Sequence, residues 1–197
     1  MSNRVRLCVA LVMTVTGCAT TGSSGGAPRR EAADYYPLAV GNQWTYQVKT
    51  ALGEQQEAKV EIVSQQDGYF LDNRGGKLRV DAYGLRDELR YLLQEPIESD
   101  HAWKNTVSAQ ATERYKILSV GATCEVPAGT FQDCVTVSST LRVDPQSELI
   151  NDLTFVRGVG MVRMEVDLKR NGNRVRQHQL ELKSFSLTPA PSSEVVK

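Results

Sequence analysis

Apolar and polar residues alternate with a period of two along most of this chain. Trp44, Tyr46 and Val48 alternate with Thr45, Gln47 and Lys49, and Ala58, Val60 and Ile62 with Lys59 and Glu61. Leu78, Val80 and Ala82 alternate with Arg79 and Asp81. The clearest run sets Val162, Met164, Val166 and Leu168 against Arg163, Glu165, Asp167 and Lys169. Successive side chains of a strand point to opposite faces, so each run has one face for a core and one for water. One-sided strands belong to antiparallel sheets, because parallel strands are apolar on both faces. Gly75-Gly76, Pro127-Ala128-Gly129 and Asn171-Gly172-Asn173 supply turns between runs. No segment holds an apolar 3.6-residue period over ten positions. The pattern predicts an all-β antiparallel domain, with helical turns only near 29–34 and within 95–104.

Two hairpins take a register from their faces. With Asn171-Gly172-Asn173 as a three-residue loop, Arg170 faces Arg174, Val162 opposes Leu182, Met164 opposes Leu180 and Val166 opposes His178. A two-residue loop would set Gln177 and Gln179 against the apolar residues. An amide buried without a partner costs on the order of 1–3 kcal/mol, which favours the longer loop. With Pro127–Thr130 as a four-residue loop, Val126 faces Phe131, Ala122 faces Val135 and Val120 faces Val137. Pro127 presets the first φ of that turn, and Gly129 accommodates a left-handed position.

The first residues follow another rule. Arg4 and Arg6 precede a mostly apolar run from Leu7 to Val15, and small residues follow. That order is the basic, apolar and small-residue layout of an export signal, too short to span a bilayer. Val15-Thr16-Gly17-Cys18 resembles the lipobox of bacterial lipoproteins. The resemblance implies removal of residues 1–17 and acylation of Cys18. Ala19, where Asp would retain a lipoprotein at the inner membrane, implies by the same resemblance an outer-membrane lipoprotein facing the periplasm. Residues 18–33 then form a lipidated tether of small and polar residues, 34–187 the β domain, and 188–197 a flexible tail. Fifteen tether residues span roughly 20 Å root-mean-square, which keeps the domain near the bilayer. No later stretch approaches 18 consecutive apolar residues, so the acyl chains are the membrane attachment. The chain from Cys18 has 21 basic and 23 acidic residues, net −2. That balance lacks the clustered basic surface of a nucleic-acid binder.

Four segments carry a family resemblance. Tyr36 to Tyr46 (YPLAVGNQWTY) resembles the opening strand, YxPLxxGNxWxY, of a family of uncharacterised exported bacterial β-domain proteins. Val126 to Phe131 with Cys134 is similar to its VPAGTFxxC hairpin, and Val156 to Val162 to its GVGxV turn. Gly84-Leu85 matches a weaker GL turn. Together they span about 36–187. The resemblance implies a single strongly curved antiparallel sheet or incomplete barrel, and it brings no catalytic residue. Read physically, Trp44 and Tyr46 are core anchors on one strand face. Gly158 and Gly160 supply backbone conformations for a bend or bulge, with no following helix to cradle a phosphate.

Candidate chemistry is sparse. The two histidines, His101 and His178, lie in no catalytic or zinc pattern, and the chain has no nucleophile elbow or nucleotide-phosphate motif. His101 has acidic neighbours that suit weak metal binding; His178 suits a hydrogen-bonded or half-exposed place beside Val166. Asp144, Glu148 and Asp152 lack the spacing and glycine of a calcium loop and read as solvated loop charges. Neither catalytic residues nor a cofactor or metal are expected. Cys8 leaves with the signal, which leaves Cys124 and Cys134. An oxidising envelope favours their pairing. In the apolar register, however, Cys124 faces Asp133 and Cys134 points to the other face beside Thr123, so a disulfide requires a bulge. The pairing stays open on sequence alone.

Two readings lead. One is a non-enzymatic lipoprotein domain that presents a surface, concavity or edge strand to a protein, glycan or lipid partner. The other is a carrier holding a lipid or other apolar ligand in the concave face. A small hydrolase comes third for want of a catalytic constellation. The first two differ in whether side chains fill the concave face or leave it open.

Overall fold

The computed structural model describes residues 29–188. The chain enters through a 3-10 turn (Ala32–Tyr35) and then runs as β1 (Gln43–Thr50), β2 (Gln55–Gln66), β3 (Tyr69–Asp72), β4 (Lys77–Asp81), β5 (Gly84–Arg86) and β6 (Tyr91–Gln94). There follow β7 (Ala102–Ser108), β8 (Ala111–Val126), β9 (Gly129–Asp144), β10 (Ser147–Val156), β11 (Gly160–Arg170) and β12 (Asn173–Ser186). All pairings are antiparallel, in the order β6-β5-β4-β3-β2-β1-β12-β11-β10-β9-β8-β7. Two meanders are therefore joined back to back where β1 pairs with β12. The sheet curls into a nearly closed barrel. The helical turn expected within 95–104 is absent: non-helical turns and bends lead into β7 there.

The Asn171-Gly172 turn is shorter than its flanking faces suggest. Arg170 pairs with Asn173, so the loop has two residues. Asn171 (φ 49°) and Gly172 (φ 85°) both take the positive φ that a type I′ turn requires and that Asn-Gly favours. A bulge opposite Val166 and Asp167 then inserts Gln177 into β12, and beyond it Val166 faces His178 and Met164 faces Leu180, as expected. The Gln177 amide donates to Val175 O at 3.1 Å, so the buried-amide penalty does not arise. The other turn is also corrected. Val126 pairs with Gly129 across a Pro127-Ala128 loop, so Val120 faces Val135 and Ala122 faces Cys134.

One end of the barrel is filled. Trp44, Tyr46, Phe155, Val162 and Leu182 are almost wholly buried there, with Ile62 and Ile117. Trp44 Nε1 donates to Val159 O at 2.7 Å, and Tyr46 OH donates to Met161 O at 2.9 Å. Gly160 (φ 114°) lies directly against the indole: a Cβ there would stand 3.0 Å from Trp44 Nε1. Asn42, 1% exposed, ties the start of β1 to both termini of the domain. Its Nδ2 donates to Pro37 O (2.6 Å), and its Oδ1 accepts from Thr188 N–H (2.7 Å).

Chain contacts upstream of 34 revise the expected boundary between tether and domain. Ala32 is fully buried, and Arg30 donates through Nε and Nη2 to Asp133 Oδ1 at 3.0 and 2.8 Å. Tyr35 OH donates to Asp133 Oδ2 at 3.1 Å. Arg157 Nε lies 3.2 Å from that oxygen, close enough for an ion pair though not aligned for a hydrogen bond. The guanidiniums and the phenol outweigh the desolvation of Asp133 and hold its carboxyl below the ordinary range. Residues 29–33 thus belong to the folded unit. Cys18, the export signal and most of the tail lie outside the described residues.

Candidate apolar ligand site

The gap in the barrel falls between β6 and β7, which are neighbours in sequence but make no strand pairing. Side chains bridge it. Asn105 Oδ1 accepts from Tyr91 N–H at 3.0 Å, Asn105 Nδ2 donates to Tyr91 O at 3.1 Å, and Trp103 Nε1 donates to the same carbonyl at 2.9 Å. Trp103 is also the middle of an aromatic stack, with His101 and Tyr115 rings centred 5.6 and 5.3 Å away. These side chains hold the β6 edge at Tyr91, and no backbone ladder joins the two sheet edges.

Within the barrel lies a cavity of about 390 Å³. Leu78, Leu92, Leu153, Phe155, Met161, Met164 and Val166 make its wall mostly apolar. The registers explain this layering. Val137, Leu153, Met164 and Leu180 form one row across β9 to β12. The next row carries Tyr115, Ser139, Asn151 and Val166 across β8 to β11. Trp44 does not line the cavity, so a packed core and an open pocket occupy different depths of one barrel. The expected choice between a filled and an open concave face is resolved by both being present.

The polar row is connected. Asn151 Nδ2 donates to Ser139 Oγ at 3.2 Å, and Tyr115 OH donates to Glu113 Oε2 at 2.7 Å. Arg90 Nη1 lies 3.5 Å from Glu113 Oε1, while Arg90 Nε donates to Asp87 Oδ2 at 2.9 Å. Asp87 Oδ1 accepts the backbone N–H groups of Leu89 and Arg90, both at 2.7 Å, which fixes the loop before β6. Burial pushes the Tyr36, Tyr46 and Tyr115 phenols above their ordinary range, Tyr115 also through the adjacent Glu113 carboxylate. All three phenols are neutral at physiological pH.

The residues singled out from sequence are placed as follows. Cys124 and Cys134 are disulfide-bonded, with Cα atoms 6.1 Å apart. The required bulge is present: Cys124 pairs with Phe131 and Ala122 with Cys134, leaving Thr123 against Gln132 and Asp133, the latter at φ 56°. His178 is exposed on β12. His101 packs its ring on Trp103, with Nε2 buried and without a hydrogen-bond partner. Among the described residues no three His, Cys, Asp or Glu side chains gather to hold a metal. Glu148 and Asp152 sit on β10, not in a loop, paired with Lys169 and Arg174, and Asp144 caps the turn by accepting Gln146 N–H at 2.7 Å. Sequence reading missed the cavity wall and its polar row. Asn105, Glu113, Ser139 and Asn151 are polar at inward positions, and period-two alternation reads such residues as solvent-facing.

No family model and no curated protein matches the chain. Two solved structures resemble it in backbone. One is a protein provisionally described as a lipoprotein, from Parabacteroides distasonis, with 12% identity, TM-score 0.43, and coverage of 80% of this chain and 100% of that one. The other, from Bacteroides fragilis, is provisionally described as exported with a YmcC-like fold, with 13% identity, TM-score 0.44, and coverage of 78% and 99%. Neither likeness carries a residue role to this chain.

Proposed function

We propose that this protein is a non-enzymatic envelope lipoprotein, acylated at Cys18 and facing the periplasm, whose barrel holds the apolar chain of a small ligand. The observation that carries the binding half is the 390 Å³ cavity beside an already complete core. Binding sites for small molecules are concave, mostly apolar, and carry a few convergent polar groups, and this one lies within the usual size range. A dry engineered cavity of about 150 Å³ takes one benzene, so by proportion about fifteen carbon atoms fit here. The geometry favours the carrier over an edge-strand adaptor, because the Asn105 and Trp103 side chains of β7 already hold the Tyr91 backbone of β6. The anchoring half rests on the Val15-Thr16-Gly17-Cys18 lipobox.

Titration of the chain from residue 18, bearing Cys18→Ser, with the fluorescent apolar amine N-phenyl-1-naphthylamine tests the first half. Saturable binding near one per chain supports it, and its absence contradicts it. Phase partition of the full protein tests the second: Cys18→Ser abolishes entry into the detergent phase. Unchanged partitioning rejects the anchor.

A further inference from the structure

The cavity's polar row has a direction and a charge, and together they select what the apolar chain carries at its end. Glu113, 5% exposed, is the acceptor on which the row converges. Tyr115 spends its hydroxyl hydrogen on Glu113, and Asn151 spends an amide hydrogen on Ser139. The Tyr115 phenol is thus committed to a carboxylate. Among the described residues, Asn151 Oδ1 has no protein donor and borders the cavity. Arg90 is the single cation of the cavity wall among the described residues. Glu113 and Asp87 flank its guanidinium, and the triad sums to one negative charge. A carboxylate or phosphate entering here would compete with two carboxylates for one guanidinium already engaged by both, and would be repelled by the residual charge. A donor or cation meets the free Asn151 Oδ1 and the triad's residual negative charge.

We infer that the ligand is an amphiphile whose apolar chain ends in a hydrogen-bond-donating or cationic group, such as an amine or a hydroxyl, and not in a carboxylate or phosphate. This inference rests on the cavity being a ligand site, and the test separates the two. The selectivity it describes follows from the wall: buried polar groups discriminate strongly when a ligand leaves them unpaired.

The experiment displaces N-phenyl-1-naphthylamine from the chain beginning at residue 18, with Cys18→Ser, at neutral pH and physiological salt. The competitors are dodecylammonium, dodecanol and dodecanoate, each below its micellar concentration. Dodecylammonium is expected to displace the probe at a concentration at least tenfold below that of dodecanoate, with dodecanol between. Glu113→Gln is expected to narrow the ratio to under threefold, and Met164→Trp, which sets a larger side chain into the cavity, to abolish displacement by all three. Equal or tighter binding of dodecanoate overturns the inference and leaves the cavity reading standing. Failure of all three competitors on the wild-type chain overturns the cavity reading itself. Should Glu113→Gln not fold, the wild-type ratio decides alone.

Discussion

Asn105 holds Tyr91 as a neighbouring strand would. Its side-chain amide accepts from Tyr91 N–H at 3.0 Å and donates to Tyr91 O at 3.1 Å, completing a two-bond pair across the one place where the barrel has no ladder. Asn105→Leu keeps the volume and removes both bonds. Leaving the Tyr91 N–H without a partner should cost about 1–3 kcal/mol. Hydrogen exchange should rise at Tyr91 and Leu93 while β1 and β12 stay protected. Uniform exchange across the sheet would show that the seam is not a separate unit.

Gly160 and Trp44 form a second coupled pair. An alanine at Gly160 meets both an unfavourable φ of 114° and the indole nitrogen at 3.0 Å. Gly160→Ala should therefore destabilise by more than about 1 kcal/mol. Trp44→Ala should cost roughly 3–5 kcal/mol, as core aromatics do. In the double variant the Gly160→Ala cost should shrink, because the clash is gone. Additive melting shifts would contradict the contact.

Acid should loosen the tip of β11 and β12. Asp167, 2% exposed in its side chain, accepts from both Arg174 and Arg176. Desolvation opposes its charged form, but the two guanidiniums prevail and its carboxyl lies below the ordinary range. A depressed folded-state value means the stabilisation is present above the unfolded value, about 3.9, and is lost as pH falls through the folded value. Asp167→Asn should lower stability at pH 7 by about 1–3 kcal/mol, less than a fully buried pair because both arginines are partly exposed. The wild-type and variant melting curves should converge below about pH 4. Curves that stay parallel would rule out this linkage.

The strands were legible because one-sided alternation is a direct image of an inside and an outside, as Trp44, Tyr46 and Val48 show. The turns were less so. Face-matching predicted a three-residue loop at Asn171, whereas the Asn-Gly backbone preference made a two-residue turn and a bulge at Gln177 restored the faces. Parity alone cannot reveal a bulge, and the same limit left the Cys124–Cys134 bond undecided. The ligand site was hidden for a different reason. A cavity is missing volume, and Leu153 or Met164 reads the same whether a neighbour or a vacancy lies opposite. Its polar row comes from residues 113 to 151 on β8, β9 and β10, joined only by two strand registers.

The disulfide closes a short segment within one hairpin, its cysteines ten positions apart in sequence. Loop-closure entropy for that length corresponds to about 2–3 kcal/mol. Cys124→Ser with Cys134→Ser should lower the melting temperature without changing probe binding, since neither residue lines the cavity. Loss of binding in a still-folded double variant would place the hairpin in the ligand path.

The most direct test of the central claim is native mass spectrometry of the protein from Cys18 onward, extracted from its own host and compared with a Met164→Trp variant made the same way. One small amphiphile should be retained per wild-type chain and be absent from the folded variant, whose indole narrows the cavity. A bound species that persists in Met164→Trp, or a wild-type chain that carries none and takes up no apolar probe, would contradict it.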